Sequence, residues 1–155
     1  MATYELAQLN VAGMRGALDS PAMAEFAANI AGINAIAESS PGFLWRSQSA
    51  EDDAAAVRIF GAGTLANLSV WRDVQALSDF VYGSAHADFL RRRREWFGRM
   101  AEAHMVLWWV IAGRRPSVEE AVTKLRHLQA HGSTAEAFSF RAAPHAPVKA
   151  APLDA

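Results

Sequence analysis

The sequence contains no cysteine and has almost no net charge, and these two features exclude several classes of function. Without thiols the chain can form no disulfide, no zinc–thiolate site and no cysteine nucleophile, which suits a reducing cytosol. A formal net charge of −1 creates no overall field that would attract nucleic acid or an anionic membrane surface. We therefore expect a cytoplasmic protein whose partners are small molecules or other proteins.

Long hydrophobic runs are also missing. The longest strongly apolar stretch, Met105 to Ala112, is far shorter than the roughly 20 residues of a membrane-spanning helix. The first ten residues, MATYELAQLN, lack the basic and then apolar pattern of an export signal. What the chain does have is 52% hydrophobic and 20% charged residues, which is the balance of a globular domain with a core.

Alternation of polarity and helical spacing predict the secondary structure. They indicate strands over 4–10, 43–48, 65–71 and 105–111, and helices over 21–38, 73–99 and 118–131. The middle helix should be broken, because Gly83 can end one segment and Ser84 can cap the next. The connection 49–64 is expected to be a long loop, functional or mobile. Near the C-terminus, Phe138 and Phe140 should dock as a short extended segment.

This order of elements predicts an α+β fold of the ferredoxin-like β-α-β-β-α-β type, with a broken second helix and an added C-terminal helix. Residues 1–141 would form a single domain, and the segment 142–155, rich in Ala and Pro, a flexible tail. A four-stranded sheet with helices on one face leaves its other face apolar. Burying that face against a second copy predicts a homodimer.

His86 is the main candidate for chemistry. It shares one face of a helix with Phe89, Arg93, Trp96 and Met100, so its side chain should point inward. Three interpretations stay open: a buried histidine hydrogen-bonded to a neighbour, a general acid or base, and an axial ligand of haem iron.

The four consecutive arginines, Arg91 to Arg94, do not indicate a nucleic-acid site. Successive helical residues are rotated by about 100°, so the four side chains spread around most of the helix. A solvated helix is the favoured interpretation, with Arg93 turned inward to pair with a carboxylate of the protein or of a ligand.

Polar side chains alternate along the strands where a sheet would direct them beneath the helices. They are Gln8, Asn10, Asn67 and Ser69, with Asn34 at the edge of the first helix. Each one left buried and unpaired costs about 1 to 3 kcal/mol, so they must bond one another or face a wet cavity. Four aromatic residues are expected nearby: Trp45, Trp71, Tyr82 and Trp108. Together with the polar groups they have the composition of a ligand pocket, although each residue alone could belong to the hydrophobic core.

Metal and nucleotide sites are not expected. His127 and His131 have a spacing that can bind metal, but no third ligand is apparent and a helix C-terminus favours histidine anyway. The glycines of Gly61-Ala62-Gly63-Thr64 precede a strand rather than a helix, so they provide no phosphate cradle.

Six blocks of sequence resemble the bacterial family catalogued as domain of unknown function 3291. They are LAQLN (6–10), PGFLWR (41–46), NLSVW (67–71), FVYGSAH (80–86), RRREWF (92–97) and LWW (107–109). The resemblance covers the chain up to about residue 140. It implies the dimeric α/β-barrel superfamily, which includes antibiotic biosynthesis monooxygenases, haem-degrading monooxygenases and small cyclases.

Two segments depart from that resemblance. The segment 51–56 is unusually rich in alanine, which puts a lid role in doubt. The segment 111–114 has Ile111 and Arg114 where Pro and His are expected, which removes one polar group near the pocket rim.

Together these observations predict an enzyme that acts on a hydrophobic, aromatic or polycyclic substrate by acid–base chemistry, without an organic cofactor. The reaction would be cofactor-independent oxygenation, cyclisation or isomerisation. His86 would transfer a proton, Asn67 and Asn34 would hold an oxygen, and Tyr82 would assist. The substrate-binding residues would be Trp45, Ser69, Trp71, Phe89, Arg93 and Trp108. The alternatives are a haem-binding or haem-degrading protein with His86 as ligand, and a non-catalytic module that binds a small hydrophobic molecule.

Overall fold

The structure, a computed structural model, describes residues 3–84, 86–98 and 104–147, except for the side chains of His86 and Phe89. Its strands are β1 (Tyr4–Gly13), β2 (Phe43–Arg46), β3 (Thr64–Trp71) and β4 (Met105–Ile111). Its helices are α1 (Ala24–Ser39), α2 (Ala50–Phe60), α3 (Val74–Gly83), α4 (His86–Arg91), α5 (Arg93–Trp96) and α6 (Val118–His131). Two 3₁₀ turns, Pro21–Met23 and Phe140–Ala142, complete the described elements.

The four strands form one antiparallel sheet in the order β2-β3-β1-β4. In its register Leu6, at the centre, lies opposite Trp71 of β3 and Trp109 of β4. The predicted α+β class is confirmed, and the arrangement is compatible with a ferredoxin-like fold.

The predicted loop over 49–64 is wrong, because most of it forms helix α2. The Ser49 side chain accepts a hydrogen bond from the Asp52 backbone N–H at 3.0 Å, and Gly61, at a φ of 92°, ends the helix. The acidic residues that suggest a solvated loop are the first turn of this helix, where negative charge is favoured by the helix dipole.

The predicted break in the middle helix is confirmed. Helix α3 opens with Asp73, whose carboxylate accepts the Ala76 N–H at 2.8 Å, and it ends at Gly83. A second break falls at Arg92, so the segment continues as two short helices, α4 and α5. The predicted capping of α6 is also confirmed, since the Ser117 hydroxyl accepts the Glu120 N–H at 3.1 Å.

Both faces of the sheet are covered by helices of the same chain. The closed face, which includes Ala7, Leu9, Val70 and Trp108, packs against α2 and α6. The cavity face, which includes Gln8, Asn10, Ser69 and Trp71, lies under α1, α3, α4 and α5. The expectation that one face stays bare is therefore wrong, because the predicted loop and the added C-terminal helix cover it. The homodimer derived from that bare face stays a prediction.

The C-terminal segment docks on the edge of β4 through Phe138, as predicted, whereas Phe140 begins a 3₁₀ turn instead of continuing the extended segment. Leu107 and Phe138 exchange two backbone hydrogen bonds of 2.9 Å, and the Trp109 indole donates to the Pro144 carbonyl at 3.2 Å. Residues 148–155 of the predicted tail lie outside the described residues. Within the described ranges, no helix has both the length and the apolar character needed to cross a membrane.

Candidate functional site

A cavity with two lobes lies between the cavity face of the sheet and the helices. The first lobe has a volume of about 1090 Å³ and extends from β1 and β3 towards α1, α5 and α2. The second lobe, of about 780 Å³, extends towards α3 and the 3₁₀ turn that begins at Phe140. The lobes share a waist, whose polar side chains are Asn10, Asn34, Arg46, Asn67, Arg93, Arg94 and His104. The second lobe alone has the size of a typical ligand pocket, roughly 300 to 1,000 Å³, and the first lobe is slightly larger.

The floor of the second lobe is a buried hydrogen-bond network between β1 and β3. The Gln8 amide donates to the Ser69 hydroxyl at 2.7 Å and to the Asn67 carbonyl at 3.1 Å, and the Trp71 indole donates to the same hydroxyl at 2.9 Å. Gln8 is 4% exposed and Ser69 is 6% exposed. These polar groups therefore bond one another, and they also face the cavity.

Aromatic rings form one wall of the second lobe. Phe80 stacks on Trp71 with 5.1 Å between ring centroids and 22° between planes, and Phe43 meets Trp71 edge-on at 5.3 Å. Tyr82, which is largely exposed, lies 6.0 Å from Phe140 at the outer end of the wall. Such a wall suits an aromatic ligand, because offset stacking adds to the gain from apolar burial.

The waist carries positive charge that the described residues do not neutralise. Within residues 3–84, 86–98 and 104–147, Arg93 and Arg94 make no ion pair. Both are exposed, so the waist is where the cavity meets solvent. Their neighbours behave differently: Arg91 pairs with Asp88, and Arg92 pairs with Glu25 and Glu95.

His104 stands beside these arginines and borders both lobes. Its backbone carbonyl accepts the Val11 N–H at 2.8 Å, which ties the residue to β1 just before β4 begins. Partial burial and the positive charge of Arg93 lower the pKa of His104 below its usual value. A neutral imidazole at pH 7 can accept a proton from a bound molecule.

Sequence reasoning missed His104 and Arg94. His104 lies between the predicted middle helix, 73–99, and β4, where no periodicity assigns a direction to a side chain. One sequence signal could have found His104. It directly precedes Met105, which lies opposite Asn10 of β1 in the sheet, and Asn10 lines the cavity.

Six of the predicted site residues line the cavity. Asn34, Asn67 and Arg93 lie at the waist, and Ser69, Trp71 and Tyr82 lie in the second lobe. The structure therefore brings together the polar face of β3 and the arginine-rich helical segment.

Two predicted aromatic contacts are wrong. Trp108 is 2% exposed in the core of the closed face, where its indole N–H has no partner among the described residues. Trp45 packs against the same core, with the Arg115 guanidinium 5.9 Å from its ring centroid. Both side chains point to the face of the sheet opposite the cavity, because strand side chains alternate between faces.

The predicted roles of His86 and Phe89 concern side chains that lie outside the described part of the structure. The acid–base role and the haem-ligand role of His86 therefore stay predictions. His127 bonds the Thr134 hydroxyl at 2.8 Å. Within the described residues, no group of three or more His, Cys, Asp or Glu side chains is placed to hold a metal ion.

Comparison with known proteins identifies a family for the chain but no activity. The profile of the family Domain of unknown function (DUF3291) matches residues 5–153. No curated protein matches the chain. Among solved structures, the chain is similar to NE2512, a protein of unknown function from Nitrosomonas europaea, with 14% sequence identity and a TM-score of 0.47. That similarity covers 74% of this chain and 96% of the other.

Proposed function

Since the chain belongs to the DUF3291 family, whose name assigns no activity, we propose a function from the cavity itself. The protein binds a small molecule that joins an apolar, preferably aromatic, body to an anionic group, and it converts that molecule by acid–base chemistry. The observation that carries this proposal is the placement of Arg93 and Arg94, without ion pairs among the described residues, at the waist of a cavity with apolar walls.

Arginine is suited to hold the anionic group. Its planar guanidinium binds a carboxylate or phosphate through two parallel hydrogen bonds, which fixes the orientation of the bound group. The apolar body would lie along the walls of the lobes, where burial of its surface contributes most of the affinity.

His104 is suited to remove a proton from the bound molecule. Its lowered pKa keeps the imidazole neutral at pH 7, and Arg93 beside it would stabilise negative charge that develops on the substrate. The amides of Asn34 and Asn67, on the same waist, can donate hydrogen bonds to an enolate oxygen. Oxygenation without a cofactor, cyclisation and isomerisation can each begin with this proton transfer.

We also infer a ferredoxin-like arrangement in the dimeric α/β-barrel superfamily. The antiparallel order β2-β3-β1-β4 supports it, because a β-α-β-β-α-β chain places its first and third strands at the centre of the sheet.

The anion-binding step is tested with 1-anilinonaphthalene-8-sulfonate, an aromatic anion whose fluorescence rises in apolar sites. We expect saturable binding to the wild-type protein, and a Kd raised about tenfold or more in Arg93→Ala and in Arg94→Ala, because each variant loses a charge-assisted hydrogen bond. Arg126→Ala, an exposed arginine of α6 remote from the cavity lining, is the matched control and should bind as the wild type does.

A neutral analogue, N-phenyl-1-naphthylamine, separates charge from shape. Its Kd should be the same in wild type, Arg93→Ala and Arg94→Ala. Equal affinity of all proteins for the sulfonate would rule out the anion site.

The proton-transfer step is tested with phenylpyruvate, which carries an aromatic ring, a carboxylate and an acidic carbon next to a ketone. We expect the protein to accelerate its keto–enol tautomerisation, followed by ultraviolet absorbance, and His104→Gln to lose about a hundredfold of that acceleration. The Kd for phenylpyruvate should stay nearly unchanged in His104→Gln. A wild-type rate equal to that of buffer, or an unaffected variant, would remove His104 as the base.

A further inference from the structure

The two lobes differ in lining, and this difference bears on the shape of the ligand. The first lobe has an apolar part, formed by side chains of α1, β3 and α5, among them Phe26, Ile30 and Leu65. The second has the stacked wall of Trp71 and Phe80 and a polar floor. One lobe therefore suits a flexible alkyl or alicyclic group, and the other suits a flat aromatic group.

The cationic groups that border both lobes lie at the waist, whereas Arg15 borders only the first lobe and Arg141 only the second. Arg93, Arg94 and His104 border both lobes at the waist. The end of the first lobe nearest α2 carries Asp52 and Asp53, which disfavour an anion there. In the second lobe, Arg91 is already paired with Asp88.

The floor of the second lobe offers one hydrogen bond to a ligand. The Ser69 hydroxyl accepts from both Gln8 and Trp71, so its own hydrogen is left to donate, and no acceptor for it occurs among residues 3–84, 86–98 and 104–147. Because Ser69 is only 6% exposed, an unused donor there has a free-energy cost that an acceptor on the ligand would relieve.

We propose that the ligand is a two-armed molecule with its anionic group in the middle. An apolar arm occupies the first lobe, an aromatic arm occupies the second, and a carboxylate or similar anion between them is held by Arg93 and Arg94. This inference rests on the proposed anion-binding function and adds the shape of the ligand to it.

Three probes of matched structure test the shape. The compound 2-benzyldecanoate has a central carboxylate, an alkyl arm and a benzyl arm; decanoate lacks the benzyl arm, and 3-phenylpropanoate lacks the long alkyl arm. Each is measured by calorimetry on the full chain. We expect 2-benzyldecanoate to bind at least tenfold more tightly than the better of the two one-armed probes.

Variants with a substitution in one lobe then show which arm of the ligand each lobe binds. In Ile30→Ala, in the first lobe, the affinity for decanoate and 2-benzyldecanoate should fall at least threefold, while 3-phenylpropanoate binds unchanged. In Phe80→Ala, in the second lobe, 3-phenylpropanoate and 2-benzyldecanoate should weaken, while decanoate binds unchanged. Retained binding of the unaffected probe also shows that each variant is folded. If Phe80→Ala unfolds, Tyr82→Ala, at the exposed end of the same wall, replaces it.

Arg141→Ala tests whether the anion binds at the waist or in the second lobe, because this exposed arginine borders only the second lobe. It should bind all three probes as the wild type does, whereas Arg93→Ala should weaken all three about tenfold. A larger loss in Arg141→Ala would place the anion at the end of the second lobe and overturn the inference.

These experiments distinguish an error in the two-armed shape of the ligand from an error in the proposed anion-binding function. If 2-benzyldecanoate binds no better than the one-armed probes, while Arg93→Ala still weakens all of them, the two-armed ligand is excluded and the anion site stands. If no probe binds, or Arg93→Ala changes nothing, both proposals fail together.

Discussion

Arg92 and Arg93 are adjacent in the chain, yet their side chains have unrelated surroundings. The Arg92 guanidinium bonds Glu25 twice at 2.6 Å and Glu95 once at 2.6 Å, and its Cζ atom lies 4.7 Å from the Trp96 ring centroid. These carboxylates raise the pKa of Arg92, and Arg92 in turn lowers the pKa of Glu25. Arg93 faces the cavity instead, so one arginine joins α1 to α5 while its neighbour is available to a ligand.

The pKa of His104 lies below its usual value because of the surroundings of the imidazole. Burial, and then the charge of Arg93, lower it, so the histidine Hε1 resonance followed by NMR should titrate below the usual 6.5. In Arg93→Ala the midpoint should move up, because the repelling charge is gone.

The same shift has a consequence for stability. Because the folded state binds the His104 proton less readily than the unfolded state, stability should be fully present above the unfolded pKa and should fall as pH drops below it. Urea unfolding at several pH values should show less acid destabilisation in His104→Gln than in the wild type. An unchanged pH dependence would contradict the assigned shift.

At the scale of elements, strand alternation explains why some aromatic residues line the cavity and others do not. Trp71 shares the cavity face with Ser69, whereas Trp108, opposite Ala7 in the sheet, points to the closed face. A displacement by one residue moves a side chain to the other face. The position of a tryptophan along its strand decides which face of the sheet it lies on. That position therefore says more about its role than its residue type does.

Helix α2 provides the prediction at this scale. Ser49→Ala removes the side-chain acceptor for the Asp52 N–H and should destabilise the protein by about 1 kcal/mol, measured by urea unfolding. Ser49→Asp should restore stability, since aspartate caps as well as serine does. Amide hydrogen exchange should show protection at 54–60 in the wild type. Rapid exchange across this segment would mean that the loop expected from the sequence is right.

At the scale of the whole molecule, the covered closed face changes the argument for a dimer. A dimer that pairs through the sheet needs an apolar sheet face without a partner, but α2 and α6 of the same chain bury that face. What remains in favour of a dimer is the dimeric α/β-barrel superfamily implied by the sequence resemblance, so the homodimer stays a prediction.

Native mass spectrometry tests this prediction directly. A homodimer has twice the 16.8 kDa mass of the chain. The same spectrum, recorded on freshly purified protein, would also detect a retained ligand. A monomer at micromolar concentration would show that α2 and α6 replace the partner sheet expected from the resemblance.

The sequence alone predicts the four strands, the side-chain caps of α3 and α6, and the broken middle helix. These features follow from local chemistry: alternation, caps such as Asp73 and Ser117, and glycines such as Gly83 and Gly132. It also identified the polar stripe of Asn67 and Ser69, because a strand directs every second side chain to one face.

Tertiary packing sets which residues face the cavity and what covers the other side of the sheet, and the sequence does not show either. Helix α2 was hidden because an acidic, alanine-rich stretch after a serine fits both a loop and a short exposed helix, and packing against α6 distinguishes them. His104 and Arg94 could not be recognised because their meeting depends on how α5 and β4 approach one another across the chain. Contacts of this kind are set by the packing of whole elements, which no local pattern encodes.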